Sequence, residues 1–87
     1  MSTTKLTVKT TGTPLMKLFI DHTLLPTAGG AGSAMLAPGQ YVLSWVVLGA
    51  PTDAYSIEIT SPASAAWNTS GTLDSSGKDA GIHWVEI

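Results

Sequence analysis

No window of twelve residues in this chain is free of glycine or proline. A helix packed on a core needs roughly ten or more residues of unbroken 3.6-residue periodicity, and both residues interrupt it. The breakers also gather into turns: Thr11-Gly12-Thr13-Pro14, Pro26 to Gly32, Pro38-Gly39, Gly49-Ala50-Pro51, Ser61-Pro62, Ser70-Gly71 and Ser75-Ser76-Gly77, with Gly81 after them. Turn signals about every 8–12 residues are the mark of an all-β sandwich or barrel.

Between the turns, side chains alternate as strands require. Leu6 and Val8 share one face, Lys5, Thr7 and Lys9 the other. In residues 15–20, Met16, Leu18 and Ile20 form the expected inner side, and Leu15, Lys17 and Phe19 the outer. Tyr55, Ile57 and Ile59 point inward in the next clear case. Residues 82–87 set Ile82 and Trp84 against His83 and Val85, and the apolar pair is expected inside. Shorter edge strands are expected at 63–68 and 70–74, for six or seven strands in all. Pro26 to Ala34 reads as a flexible, low-complexity loop.

At 87 residues the chain holds one domain, 1–87, with a core of modest size. With no cysteine it has no disulfide and no thiolate chemistry. Four lysines, no arginine and six acids give a net charge of −2, without the cationic face that nucleic-acid binding needs. The longest apolar run, Val46 to Ala50, is far short of the roughly 20 residues of a membrane helix, so no membrane span is expected. Met1 to Lys5 shows no apolar signal segment, which makes a cytoplasmic location the default expectation. Only 11% of residues are charged, against the usual roughly 25%. A surface that weakly charged favours self-association.

Leu18-Phe19-Ile20-Asp21, a variable loop, then Leu36-Ala37-Pro38-Gly39-Gln40-Tyr41-Val42-Leu43 resembles PEGA-type modules and related small prealbumin-like sandwiches of bacterial proteins. The resemblance covers about residues 15–60. It implies a non-catalytic surface or interaction module, and it brings no catalytic residues with it. Turn geometry accounts for the same letters: Pro38 presets φ, Gly39 supplies the positive φ of a type II turn, and Tyr41 enters a buried strand.

Side chains suited to chemistry are few. His22 beside Asp21, with His83, is the most suggestive combination for a metal or general-base site; Asp74, Asp79 and Asn68 with Ser75 and Ser76 lack the Asp-x-Asp-x-Asp-Gly spacing of a calcium loop. Neighbours on a strand face opposite ways, so Asp21 and His22 do not naturally converge. The chain has no G-x-S-x-G elbow, and Gly29-Gly30-Ala31-Gly32 lacks the Lys-Ser/Thr of a phosphate loop. No enzyme activity and no cofactor is expected. Asn68-Thr69-Ser70 matches a glycosylation sequon by chance. Trp67 stands among small and polar residues, either as a lid on the core or as an exposed platform. As a platform, with Asn68, Asp74 and Asp79, it would suit a sugar.

The expected fold is an antiparallel β-sandwich of about seven strands, immunoglobulin-like or prealbumin-like. Its expected core is Leu6, Val8, Met16, Leu18, Ile20, Tyr41, Leu43, Trp45, Val47, Ile57, Ile59 and Trp84. Residues 41–48 are apolar on both parities, whereas one face of a sandwich strand is ordinarily wet. Val42, Val46 and Leu48 should therefore be covered, either by the 26–35 loop or by a second subunit. The reading that follows is a non-catalytic module that self-associates or docks a protein through that face. A small carbohydrate-binding module is the alternative.

Overall fold

The computed structural model describes residues 2–27 and 29–87. Eight strands run through them: β1 (Thr4–Gly12), β2 (Leu15–Ile20), β3 (Thr23–Leu25), β4 (Ala31–Leu36), β5 (Gln40–Leu48), β6 (Ala54–Ser61), β7 (Trp67–Thr72) and β8 (Lys78–Glu86). A single 3₁₀ turn, Ala63–Ala65, precedes β7. The strands form two antiparallel four-stranded sheets in the orders β4-β1-β6-β7 and β3-β2-β5-β8, packed face to face as a sandwich. No helix among the described residues is long and apolar enough to cross a membrane.

The core lies between the sheets, as the alternation requires. Leu6 and Val8 of β1, Leu18 and Ile20 of β2, Leu43, Trp45 and Val47 of β5, and Tyr55, Ile57 and Ile59 of β6 are all buried there. Leu25, Leu73 and Val85 complete it, and Met16 and Tyr41 pack at its margin, partly buried.

Two connections show why the motif residues are there. Asp21 takes a left-handed φ of 54° where β2 ends. Its N–H donates to the Val42 carbonyl (2.8 Å), and its Oδ1 accepts from the Val42 N–H (3.0 Å). One aspartate thus satisfies both backbone groups of β5 where β2 stops pairing. The Tyr41 hydroxyl donates to the Ala37 carbonyl at 2.6 Å, closing the Pro38-Gly39 turn over the core. Gly39 has the expected positive φ, but at 156° it is far from the roughly 80° of a type II turn, and its N–H and carbonyl both pair with Ile87 (3.0 and 2.8 Å).

Three expectations are corrected. About half of the expected loop is strand: residues 31–36 pair with β1 from Thr4↔Leu36 to Lys9↔Ala31. Ala28, within that stretch, lies outside the described residues. Small residues suit this edge because the backbone comes close, a Cβ on Gly32 falling 2.3 Å from the Pro26 carbonyl. Lying on the edge of the opposite sheet, β4 does not cover Val42, Val46 and Leu48. Residues 63–68 split into the 3₁₀ turn and the start of β7, which runs on to Thr72.

The third correction is Trp84, which is 68% exposed and not core. β8 is inverted relative to its hydrophobic pattern, with Gly81, His83 and Val85 inward and Ile82 and Trp84 outward. The cause is Trp45. Gly81 is its cross-strand partner, and the indole lies where a side chain would start, with Cζ2 2.4 Å from a Cβ built there. Fixing Gly81 inward fixes the parity of the whole strand.

Candidate functional site

The two outer faces of the sandwich differ in chemistry. On the β4-β1-β6-β7 sheet, outward positions are occupied by Ser33 and Met35 on β4, Lys5, Thr7 and Lys9 on β1, Ser56 and Glu58 on β6, and Asn68 and Ser70 on β7. Apart from Met35, which is exposed, this is an ordinary wet face. The outer face of the β3-β2-β5-β8 sheet is mostly apolar through its middle rows and ends in the polar pair Gln40 and Glu86. The register sets Leu24, Phe19, Ser44 and Ile82 in one row across all four strands. Val42 and Trp84 form the row on one side. On the other come Lys17, Val46 and Ala80, then Leu15, Leu48 and Lys78.

The exposed members include Trp84 at 68%, Ile82 at 64%, Leu15 at 59%, Leu48 at 42% and Val46 at 41%. Isolated exposed apolar side chains are common, whereas these are neighbours on one face of one sheet. The two-sided apolar pattern of residues 41–48 pointed to Val42, Val46 and Leu48. Of their neighbours, Leu15 is set outward by the sequence pattern without being joined to this face, Leu24 is given no side, and Ile82 and Trp84 are expected on the inner side.

The residues considered for a sugar site are distributed differently. Trp67 is half-buried and turned inward, its ring stacked on His83 (centroids 3.9 Å apart, planes 6° apart) and tilted against Trp45 at 5.6 Å. Asn68, next on β7, is exposed on the opposite face. The hollow beside Trp67 is lined by residues 64–67 and 83–86, and so does not include Asn68, Asp74 or Asp79. Asp74 caps its own turn, its Oδ1 accepting from the Ser76 N–H (2.8 Å) and hydroxyl (2.5 Å). Those two bonds hold its carboxyl below the usual range.

Asp79 accepts a hydrogen bond from the Tyr55 hydroxyl. Burial, then that bond and the carboxylate's charge, raise the Tyr55 phenol above its usual value, while a bond from the Trp45 indole opposes them. Gly71 and Gly81 make room for this layer, since a Cβ at either would fall within 3.0 Å of the Tyr55 or Trp45 ring. The structure therefore brings together Trp67 with His83 and Tyr55 with Asp79, an arrangement that closes one side of the core.

His22 lies exposed in the β2–β3 turn, whereas His83 is the inward-facing partner of Trp67. Among the described residues no three His, Asp or Glu side chains gather as a metal-binding group. Burial holds the His83 imidazole below its ordinary 6.5. The unfolded chain then binds a proton that the folded one resists, so stability is full above about pH 6.5 and falls as pH drops below it. Urea midpoints measured from about pH 8 to pH 5 should show that fall, and His83→Phe should flatten it. A stability that rises on acidification would mean that the indole face favours the imidazolium more than burial opposes it.

A small all-β sandwich with one wet and one apolar outer face is the class of protein that fold and site define. No family model, curated protein or solved structure matches the chain.

Proposed function

We infer that this is a non-catalytic protein-docking module, and that its dock is the outer face of the β3-β2-β5-β8 sheet. One observation carries the reading: in a single sandwich, the outer face of one sheet is mainly Thr, Ser, Lys, Glu and Asn with Met35 as its exposed large apolar residue, while that of the other exposes Leu15, Leu24, Val46, Leu48, Ile82 and Trp84. Trp84, the most exposed large apolar residue, is of the type that anchors interfaces. The carboxylates support a structural reading of the rest, since Asp21, Asp53 and Asp74 accept bonds from nearby backbone and Asp79 from Tyr55. The PEGA-like segment, with its implied interaction role, agrees with this.

A photo-crosslinking amino acid placed at Val46, and separately at Glu58 on the wet face, tests the proposal in cells that make the protein. Irradiation should give protein adducts from position 46 and none from position 58. Adducts from both positions alike, or from neither, would overturn it.

A further inference from the structure

We propose that the occupant of this face is a second copy of the chain, packed sheet on sheet with its strands antiparallel to the first about a two-fold axis that runs across the strands. This rests on the docking reading above and adds the partner and its alignment. The argument comes from β8, which lies outermost in the sheet and displays Lys78, Ala80, Ile82, Trp84 and Glu86 on the apolar face. The axis lies over the row that contains Ile82, and it inverts the order of these residues.

Ile82 then meets Ile82 of the second copy, Trp84 meets Ala80, and Glu86 meets Lys78. The largest side chain falls on the smallest, and the acid at one end of the strand falls on the lysine at the other. Every contact off the axis occurs twice, as an isologous interface requires. On β5 the same operation sets Ser44 on Ser44 and Val42 on Val46. Lys17 of β2 falls toward the β2–β3 turn of the second copy, which carries Asp21. Aligned sheets cross at about 30°, an offset that Lys and Glu side chains are long enough to span.

Rotation about an axis along the strands instead lays β8 on β3 and leaves Lys78 and Glu86 unmatched. Strands of 3, 6, 9 and 9 residues make up the face. At about 3.3 Å per residue and about 4.8 Å between strands, it projects roughly 430 Å², and side-chain relief adds to that. The projected area is below the about 800 Å² per partner of standard interfaces and belongs with weak, transient contacts, which suits a dimer of micromolar or weaker affinity.

Sedimentation velocity of the full chain from about 1 to about 200 µM at low salt tests this. The wild type should pass from monomer to dimer across that range. Glu86→Lys and Lys78→Glu should each raise the dissociation constant about tenfold or more, and the double exchange should bring it back to within about threefold of wild type. Val46→Lys and Ile82→Lys, whose folding is checked by far-UV circular dichroism, should stay monomeric.

A double exchange that fails to recover overturns the alignment. A dimer that survives Val46→Lys overturns the face and assigns association to edge pairing of β8 instead. A wild type that remains monomeric throughout overturns the second copy as occupant. The docking reading is judged separately, by whether position 46 crosslinks in cells to any protein; adducts to a chain of another mass from a monomeric wild type would keep the docking reading and overturn only the second copy.

Discussion

Trp45→Ala is expected to remove most of the stability of this domain, about 3–5 kcal/mol, the range for a buried tryptophan truncated to alanine. Trp45 is on β5, between β2 and β8, and only 7% of it is exposed. Its indole covers Gly81 and leans on Trp67. Truncation empties the space above Gly81, where a glycine has no side chain with which to fill it. The neighbouring Trp67–His83 stack loses its backing at the same time. A domain of this size has about 4–13 kcal/mol in total at typical per-residue stabilities. The melting temperature should therefore fall by more than about 15 °C. Trp84→Ala, measured below the concentrations at which the chain associates, should change stability by less than about 0.5 kcal/mol. Equal losses at the two positions would show that Trp84 is core and that β8 has the opposite parity.

The contrast between these two tryptophans marks how far the sequence could be read. β1, β2, β5 and β6 were legible because Leu6/Val8, Leu18/Ile20, Leu43/Trp45/Val47 and Tyr55/Ile57/Ile59 alternate locally, and local alternation needs no knowledge of the partner strand. β4 was hidden because Ala31-Gly32-Ser33-Ala34 reads as low complexity. Its small residues are required by the close approach of Pro26, which only the fold reveals. The apolar parity of β8 is that of Ala80, Ile82 and Trp84, so its inverted orientation depended on a cross-strand contact between Trp45 and Gly81, about thirty-five residues apart. The docking face was half legible for a related reason. Excess apolarity showed on β5, which is apolar on both sides, but not on β8, whose one apolar parity looks like a core face, nor on β2 and β3, which are too short for a second apolar parity to stand out. Trp67, left between lid and platform by its neighbours in sequence, is turned inward by its pairing with Ile59 on β6.

Gly81→Ala is the second large effect, and its cause can be isolated. The added Cβ would fall 2.4 Å from Cζ2, 2.7 Å from Cε2 and 3.0 Å from Nε1 of Trp45. Real Cβ contacts do not come this close, and the obstacle is a rigid ring held by Trp67 rather than the free end of a flexible chain. Either the indole tilts out of its packed position or β8 lifts from β5. Overpacking of this kind costs about 1–3 kcal/mol, and a fixed ring puts this case toward the upper end. Alanine is otherwise the better residue inside a strand, having more to pack and less backbone entropy to lose. The penalty should therefore vanish once the ring is gone. In a Trp45→Phe background, which keeps an aromatic but removes the outer ring, Gly81→Ala should cost less than about 1 kcal/mol. In a Trp45→Ala background it should be neutral or slightly stabilising. Urea denaturation of the four proteins in each cycle should give a coupling of about 2 kcal/mol between positions 45 and 81, well above the roughly 0.5 kcal/mol within which independent sites add. Additive losses would mean that glycine at 81 serves some purpose other than seating Trp45. The outward parity of Ile82 and Trp84 would then need a different cause, and with it the apolar face on which docking depends.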